Sequence, residues 1–306
     1  MVGGIELSLP DRFIRNVKGV IGKSADEWLR SLPRLVSECE TLWSCAFSAP
    51  YRDLSFNYVA SGSRFDGQAV VLKLCIPNDE YLTEAGALQA IAGDGANLLL
   101  ACDHPRHALL LERLIPGRSL DEMADHDQAD QIAASVMKRI WRINPDRALF
   151  PSVNDWIQHM ADRKNIVQGT VFPTSWITTA LGMYHELISE PAEQLLLHGD
   201  LHKGNILSSQ REPWLAIDPK GVIGPAIWET GPLLLNVINP GESLRVTRHN
   251  LFRSVLALSS ALGHDRRRIA AWGVVRAVLS AFWTVEDHGH DWQSTLLTAE
   301  ILQSYI

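Results

Sequence analysis

Two different periodicities divide this 306-residue sequence, and the division limits the folds that the chain can adopt. Residues 55–112 contain short apolar runs separated by turn residues, a pattern typical of antiparallel strands joined by hairpins. Beyond Gly117, long segments carry apolar residues at helical spacing, and the only sizeable strand candidates flank residues 198–205. We therefore predict an α+β fold with two lobes, a sheet-rich one at residues 1–113 and a mainly helical one at residues 114–306.

Composition and charge exclude several classes of protein. Hydrophobic residues make up 46% of the chain, which argues against disorder. The formal net charge of −7 argues against binding to nucleic acid or to anionic membranes, and it is compatible with a cationic small-molecule partner. The sequence has no targeting segment, no apolar run long enough to cross a membrane and no CxxC pair, so we predict a cytoplasmic protein with buried, reduced cysteines. It indicates no oligomeric state.

The N-terminal lobe is expected to begin with a loosely packed segment over residues 1–23, where polarity is mixed. Apolar residues then recur at helical spacing over residues 24–43 and predict a helix. Ser24 is expected to cap this helix, because Glu27 follows at the capping-box position.

Lys73 is the only lysine between Lys23 and Lys138, and it lies in the second of two predicted strands, residues 55–60 and 68–75. An Asp-Gly dipeptide between the strands predicts a hairpin. Strand alternation places Lys73 on the face opposite to its apolar neighbours, where its ammonium group could reach nucleotide phosphates. The alternative is an ordinary lysine of an edge strand.

A helix predicted over residues 79–91 supplies a partner for Lys73. Glu84 is the preferred partner because it lies deeper in the helix than Glu80 and beside small residues. A solvated helix acid is the alternative interpretation of Glu84.

A second hairpin, predicted over residues 97–112, ends in an extended segment marked by proline and glycine. We interpret residues 112–118 as a hinge. Main-chain N–H and C=O groups from Glu112 to Leu114 could then contact the edge of an adenine. The alternative is a simple strand end.

The most informative polar residues follow the apolar run 194–197. Asp200 and Asn205 lie in a short loop, and Asp218 ends a second strand-like run over residues 214–218. Phosphoryl transfer from a nucleotide needs such a set, in which one carboxylate accepts the proton of a hydroxyl while an amide and a second carboxylate hold Mg²⁺.

His198 and His202 in the same loop allow more than one interpretation. His202 could meet substrate or phosphate, or it could support the loop. A transition-metal pair at HxxxH spacing would need a helix through Gly199 and Gly204, which glycine disfavours.

In this order, the features resemble the aminoglycoside phosphotransferase family of protein-kinase-like enzymes, and most closely its streptomycin 6-phosphotransferase branch, the aminoglycoside/hydroxyurea resistance kinases. The resemblance rests on residues 197–206 (LHGDLHKGNI) and 214–224 (WLAIDPKGVIG), and more weakly on residues 265–269 and 279–283. It implies a bilobal protein-kinase-like fold. The N-terminal lobe would bind nucleotide, and the C-terminal lobe would carry the catalytic loop, the metal site and the acceptor pocket.

The resemblance also implies roles for single residues. Asp200 would be the base for the acceptor hydroxyl, Asn205 and Asp218 would bind Mg²⁺, and Lys73 held by Glu84 would bind the phosphates of ATP. His198 would be a structural member of the loop.

One departure from the family concerns the phosphate-covering loop, which the resemblance places at residues 46–51. This stretch has no glycine. Ser48 is its best candidate for a phosphate contact, against the alternative of a plain turn serine, and the preference for ATP over GTP is left open.

The resemblance implies a hydroxylated and cationic acceptor, which needs carboxylates and aromatic rings in its pocket. The alternative for each acid is a solvated surface position. The candidates are His202, Glu229, Trp283, Glu286 and Asp287.

The leading hypothesis is an ATP-dependent O-phosphotransferase acting on a small molecule, most plausibly an aminoglycoside such as streptomycin, and so inactivating an antibiotic. One alternative is a kinase of a metabolic amino alcohol or sugar. Another is a nucleotide-binding pseudokinase with a regulatory or scaffold role, although joint retention of Lys73, Asp200, Asn205 and Asp218 argues against it.

Overall fold

The computed structural model describes residues 9–141, 146–167, 170–237, 241–287 and 291–306. The chain divides into two compact units. Unit 1 comprises Met1–Gly93 and Asn97–Leu114, and unit 2 comprises Asp94–Ala96 and Ile115–Ile306. The chain therefore passes from unit 1 to unit 2 within the segment that the sequence marks as a hinge.

Unit 1 contains a five-stranded antiparallel sheet with the order β1-β2-β3-β5-β4. Its strands are β1 (Cys45–Pro50), β2 (Tyr58–Arg64), β3 (Ala69–Leu74), β4 (Leu99–Asp103) and β5 (Ala108–Glu112). Both predicted hairpins are confirmed, with Tyr58 paired to Leu74 in the first and Asp103 paired to Ala108 in the second. The strand β1 was not predicted.

Three helices accompany this sheet, α1 (Asp11–Ile21), α2 (Ala25–Trp43) and α3 (Glu80–Ile91). The expectation of a loose segment over residues 1–23 is wrong for the part that the structure describes, because Phe13 and Val17 of α1 are fully buried in the core. Residues 1–8 lie outside the described residues. The predicted cap is also wrong, since Ser24 has helical backbone angles and its side chain makes no capping hydrogen bond.

The cysteines, all in unit 1, are free thiols. Cys39, Cys45 and Cys75 are buried as predicted, whereas Cys102 is exposed.

Replacing Phe13 tests whether α1 belongs to the core of unit 1. The ring of Phe13 lies 6.1 Å from that of Trp28, and neither water nor a neighbouring group can fill its place in a packed core. We expect Phe13→Ala to lower the free energy of unfolding by about 3–5 kcal/mol in a urea titration. Arg12→Ala, at the exposed preceding position of the same helix, is the control and should change it by less than about 0.5 kcal/mol. Equal small effects of both substitutions would show that α1 does not stabilise the fold.

Unit 2 is mainly helical, as predicted. Its helices are α4 (His126–Ile140), α5 (Val153–Arg163), α6 (Ser175–Ile188), α7 (Thr230–Leu235), α8 (Leu244–Leu262), α9 (Arg266–Asp287) and α10 (Gln293–Gln303). Its strands are β6 (Pro116–Ser119), β7 (Gln194–Leu197), β8 (Ile206–Ser209), β9 (Trp214–Ala216) and β10 (Val222–Pro225). Helices and strands of both units confirm the α+β class.

The strands of unit 2 form two small antiparallel sheets, β10-β7 and β6-β8-β9. Residues 198–205 connect β7 of one sheet to β8 of the other, and residues 217–221 connect β9 back to β10. Two polar loops are therefore held at both ends by buried strands, which positions their side chains.

Among the described residues, α9 is the one helix that is long and apolar enough to cross a membrane by length and composition. Of its most apolar window, 78% is buried inside the protein. We therefore interpret α9 as the central core helix of unit 2, whose Trp272 packs edge to face against Trp228 at 5.7 Å.

Candidate active site

The backbone of the loop at residues 198–205 turns sharply after β7. Gly199 has a φ of +85°, and a Cβ there would lie only 3.0 Å from Val222 Cγ1 and 3.2 Å from Trp156 Cη2. Only glycine combines this conformation with this close packing. The carbonyl oxygen of His198 accepts hydrogen bonds from Lys220 N at 2.7 Å and Gly221 N at 3.2 Å, which joins the two polar loops.

The two histidines support this backbone. His198 is fully buried, its Nε2 lies 2.8 Å from the carbonyl oxygen of Ile217, and its Nδ1 accepts a hydrogen bond from Asp200 N. Burial lowers the pKa of His198 to about 4, so the ring is neutral at physiological pH. His202 Nδ1 accepts a hydrogen bond from Gly204 N at 3.1 Å. No α-helix runs through residues 198–204, which removes the basis for the HxxxH metal pair.

The same loop places Asp200 beside Asn205. Asn205 Nδ2 donates a hydrogen bond to the carbonyl oxygen of Asp200 at 3.0 Å, and His202 N donates to the same oxygen. The Asp200 side chain is 33% exposed, so its carboxylate can be reached while its backbone is fixed.

Asp218 is tied to Asn205 through the main chain, because Ile217 N donates to the carbonyl oxygen of Asn205 at 2.9 Å. Asp218 is exposed and has a φ of +60°, a left-handed conformation that aspartate tolerates better than most residues. Such conformations cost energy and cluster at functional sites. The predicted loop and the predicted strand end are therefore neighbours in unit 2.

Asn205 and Asp218 offer oxygen ligands of the kind that Mg²⁺ prefers. The amide nitrogen of Asn205 is used by Asp200, so its side-chain carbonyl oxygen is left to bind a cation. Within the described ranges, no group of three or more His, Cys, Asp or Glu side chains could hold a metal ion. A site with only these two protein ligands fits a cation that takes most of its ligands from water and phosphate.

The predicted role of Glu229 as a residue of the acceptor pocket is wrong. Its side chain is fully buried, with Oε2 accepting from His198 N at 2.6 Å and Oε1 from Gly199 N at 3.0 Å. Both carboxylate oxygens are thus used to hold the turn into the loop. Glu229 is therefore a support of the loop rather than a ligand of the acceptor.

Burial raises the pKa of Glu229 to about 7, against the opposing effect of its amide hydrogen bonds. The folded protein therefore favours the protonated carboxyl, and the stabilising contribution of this group is full below its ordinary pKa of 4.5 and is lost as the pH rises through about 7. We expect the free energy of unfolding, taken relative to Glu229→Gln, to fall by about 3 kcal/mol between about pH 4.5 and about pH 8.

Denaturant unfolding of both proteins across this pH range measures the difference. His198 titrates in the opposite sense, since its lowered pKa removes stability as the pH falls, but it is common to both proteins and cancels. A difference that does not change with pH would contradict the burial of an ionisable group at this position.

Arg276 is a residue that the sequence analysis missed. It lies in the buried part of α9, and its Nη2 is 3.5 Å from Asp200 Oδ1. Its guanidinium carbon lies 5.2 Å from the centre of the Trp283 ring, a cation–π distance. A signal was present in the sequence, because an arginine in the middle of an apolar helix is rarely buried without a partner.

The other predicted acceptor residues differ in their surroundings. Trp283 packs edge to face against Trp156 at 5.3 Å, next to Arg276. Glu286 is already engaged, with His159 at 3.0 Å and Arg163 at 2.8 Å. Asp287 is exposed at the end of α9. Trp283 therefore lies beside Arg276, which contacts Asp200. Glu286 instead forms ion pairs that join α9 to α5.

A cavity of about 310 Å³ lies on the Lys203 side of the loop. Its lining includes Asp121, His126, Asp127, Lys203 and Arg253. Lys203 is buried and pairs with Asp130 of α4 at 2.8 Å, which anchors the loop from this side.

In unit 1, the predicted pairing of Lys73 with Glu84 is confirmed. Lys73 Nζ lies 2.6 Å from Glu84 Oε1, and the two side chains are 3% and 9% exposed. The competing residue, Glu80, is exposed at the start of α3. A buried ion pair of this kind fixes the direction of the ammonium group.

The prediction of a phosphate-covering loop at residues 46–51 is wrong for most of this stretch. Residues 46–50 belong to the strand β1, so Ser48 lies exposed on a strand and not in a turn. The connection between β1 and β2 runs over residues 51–57, which also lack glycine.

The predicted contact between the main-chain N–H of Glu112 and an adenine edge also needs correction. Glu112 N donates to the carbonyl oxygen of Leu98 at 2.9 Å, and its carboxylate accepts from Leu98 N. The main-chain N–H of Glu112 is therefore already used within unit 1. Leu114, the last residue of the unit, is buried.

Solved structures with a similar fold are kinases of small molecules. A choline/ethanolamine kinase family protein from Mesorhizobium loti matches with a TM-score of 0.68 and 12% identity, covering 90% of this chain and 94% of that one. Aminoglycoside phosphotransferase APH(4)-Ia, solved with ADP and hygromycin B, matches with a TM-score of 0.64 and 14% identity, covering 88% and 98%. The predicted protein-kinase-like fold is confirmed.

Sequence relatives narrow this class. Streptomycin 6-kinase from Streptomyces griseus is 29% identical over 298 residues, covering 92% of each chain. Hydroxyurea phosphotransferase from Kitasatospora aureofaciens is 32% identical over 278 residues, covering 87% of this chain and 77% of the relative. Residues 55–288 match the family model described as aminoglycoside/hydroxyurea antibiotic resistance kinase.

The fold and the site thus define a small-molecule phosphotransferase that binds a nucleotide. The chain belongs to the aminoglycoside/hydroxyurea antibiotic resistance kinase family. Relatives of this kind do not favour the alternatives of a metabolic kinase or a non-catalytic scaffold.

Proposed function

We propose that this enzyme transfers the γ-phosphoryl group of ATP to a hydroxyl of streptomycin or a related aminoglycoside, in the cytoplasm and with Mg²⁺. The observation that carries the proposal is the state of Asp200, whose carboxylate is accessible while its backbone and its neighbours are held by hydrogen bonds. Relatives named as streptomycin 6-kinases over 92% of the chain support the choice of acceptor.

Asp200 is the proposed base. As the acceptor oxygen forms a bond to the γ-phosphorus, the bond from that phosphorus to the bridging oxygen of ADP breaks, and the hydroxyl proton passes to Asp200. General base catalysis needs a carboxylate in a fixed position with one free oxygen. The hydrogen bonds from Asn205 and His202 to the main-chain carbonyl oxygen of Asp200 fix the backbone that carries this carboxylate.

Asn205 and Asp218 are the proposed ligands of Mg²⁺, through the amide carbonyl oxygen and the carboxylate. The cation neutralises charge on the phosphates when it is bound. The chain's own contribution is to keep the two ligands in register, through the hydrogen bond from Ile217 N to Asn205.

Lys73 is the proposed phosphate ligand in unit 1. Its ammonium group is a strong hydrogen-bond donor of the kind that phosphate oxygens accept, and the ion pair with Glu84 fixes its direction. The proposed adenine contact moves from Glu112 to the main chain of residues 113–114, since the N–H of Glu112 is used by Leu98. This assignment leaves Ser48 as the least supported of the predicted nucleotide contacts.

Hydroxyurea is a second candidate acceptor. The relative with the higher identity, 32%, carries the name hydroxyurea phosphotransferase. Hydroxyurea is small and uncharged, so it does not need acidic residues in the pocket, and Glu229 and Glu286 are both engaged elsewhere.

A panel of acceptors tests the proposal. The protein is incubated with ATP and Mg²⁺ and with streptomycin, hydroxyurea, hygromycin B, choline or homoserine, and ADP release is followed above the rate without acceptor. We expect streptomycin to give the highest kcat/KM. Turnover with choline or homoserine alone would overturn the assignment to antibiotics, and hydroxyurea as the only substrate would replace streptomycin.

A further inference from the structure

Arg276 of α9 occupies an unusual position in the core of unit 2. It is 4% exposed, and its Nη2 lies 3.5 Å from Asp200 Oδ1. Burial of a guanidinium group is unfavourable unless a carboxylate compensates its charge, so core packing alone does not favour arginine here. Its charge instead faces the residue proposed as the base.

The stem of Arg276 is fixed by its neighbours. On one side lies Gly231 of α7, where a Cβ would be only 2.6 Å from both Cβ and Cγ of Arg276. At the guanidinium end, the carbon Cζ lies 5.2 Å from the centre of the Trp283 ring, whose face attracts the cation. The guanidinium therefore has little freedom to leave Asp200.

Two donor atoms of Arg276, Nε and Nη1, are buried and have no hydrogen-bond partner in the described part of the chain. Because these atoms are inaccessible, an acceptor molecule cannot bind them without rearranging the core. The route by which Arg276 can influence the reaction is therefore its contact with Asp200. Glu229 binds the main-chain N–H groups of His198 and Gly199 in the loop that carries Asp200, so Asp200 is held from its backbone as well.

We propose that Arg276 is a positioning residue for phosphoryl transfer, which holds Oδ1 of Asp200 and so directs Oδ2 to the acceptor hydroxyl. The inference rests on the proposed role of Asp200 as the base. It also defines the chemistry next to that base. Since Arg276 already balances the charge of Asp200, the acceptor presents an uncharged hydroxyl there, and any guanidinium group of the acceptor binds elsewhere in the pocket.

Kinetics of Arg276→Met separate this role from acceptor binding. Misplacement of a catalytic group by about 1 Å costs about 100-fold in rate, so we expect kcat to fall about 100-fold while the KM values for ATP and acceptor change less than about threefold. Arg268→Met is the matched control. Arg268 lies on the same helix and binds Leu187 O and Glu190, so its loss should leave kcat within about twofold. A raised acceptor KM with an unchanged kcat would overturn the proposal.

A double-mutant cycle with Asp200→Asn provides the second measurement. If Arg276 acts through Asp200, adding Arg276→Met to Asp200→Asn should lower the residual rate by less than about twofold, whereas a general structural defect would add its full effect. Guanidinium ion should restore part of the activity of Arg276→Ala, and Arg276→Lys should be intermediate. Additive losses, or no rescue in a variant whose thermal unfolding is unchanged, would overturn the proposal.

The same variants distinguish the role of Asp200 as base from the role of Arg276 as positioning residue. Full activity of Asp200→Asn would remove the proposed base, and with it this inference. Full activity of Arg276→Met beside an inactive Asp200→Asn would remove the positioning role alone. If Arg276→Met does not fold, Arg276→Lys replaces it in the cycle and the same comparison applies.

Discussion

Asp200→Asn should lower kcat by roughly 10²–10⁴-fold and leave the KM for ATP nearly unchanged. Asparagine has the shape of aspartate but cannot take up the hydroxyl proton. The backbone contacts that hold position 200, from Asn205 Nδ2 and His202 N, do not involve the side chain and should persist. Steady-state kinetics with saturating streptomycin or hydroxyurea, together with nucleotide titration of the variant, measure both quantities.

Asp162→Asn is the control for this substitution, because Asp162 lies on the exposed side of α5 and binds only Gln158 in the contacts resolved for it. Its kcat should match that of the unaltered enzyme. An Asp200→Asn variant with more than about a tenth of the original kcat would remove Asp200 from the role of base.

Asp218→Asn should raise the Mg²⁺ concentration needed for half-maximal activity by about 10- to 100-fold or more, and lower kcat as well. Asparagine tolerates the left-handed conformation of position 218 as aspartate does, so the substitution removes a charge without straining the backbone. Activity measured against Mg²⁺ at fixed ATP gives the shift. Calorimetric titration of the nucleotide with and without Mg²⁺ separates binding from catalysis.

Without Mg²⁺, nucleotide binding by Asp218→Asn should equal that of the unaltered enzyme. An unchanged Mg²⁺ dependence would place the cation on other ligands and leave Asp218 with a structural role. Asn205→Ala, which removes the second proposed ligand, should show the same direction of change.

The sequence was sufficient to predict those parts of the site that are formed by two secondary-structure elements adjacent along the chain. Lys73 and Glu84 are an example, because strand alternation and helical spacing already indicate which faces they occupy. The turn after β7 is another, since glycine at position 199 and apolar runs on both sides indicate a loop between buried strands. In both cases the residues that determine the geometry are close in sequence.

Residues whose role depends on distant packing could not be assigned in this way. In the sequence, Glu229 has the pattern of a surface acid beside a tryptophan. Only in the folded chain does its carboxylate accept hydrogen bonds from the main-chain N–H groups of His198 and Gly199. Arg276 meets Asp200 because α9 passes through the core of unit 2. Neither contact follows from periodicity, since both join elements far apart in the sequence.

The N-terminal region shows a different limit. Helix α1 is short and amphipathic, so its sequence does carry a helical pattern, and its buried residues Phe13 and Val17 pack in the core with α2 and the sheet. Strand β1 has a different origin, because Phe47 is its one large apolar side chain and the strand is stabilised by pairing with β2. Pairing with β2 therefore determines β1, whereas α1 follows a helical pattern that its own sequence contains.

The central claim is that this chain forms a phosphate ester on a hydroxyl of a small antibiotic-like molecule. Phosphorus NMR and mass spectrometry of reactions containing ATP, Mg²⁺ and either streptomycin or hydroxyurea test it directly, with Asp200→Asn as the inactive counterpart. We expect one new ester signal, a product heavier than the acceptor by a single phosphoryl group, and an equal amount of ADP. Inorganic phosphate as the only product, or an ester formed equally by Asp200→Asn, would contradict it.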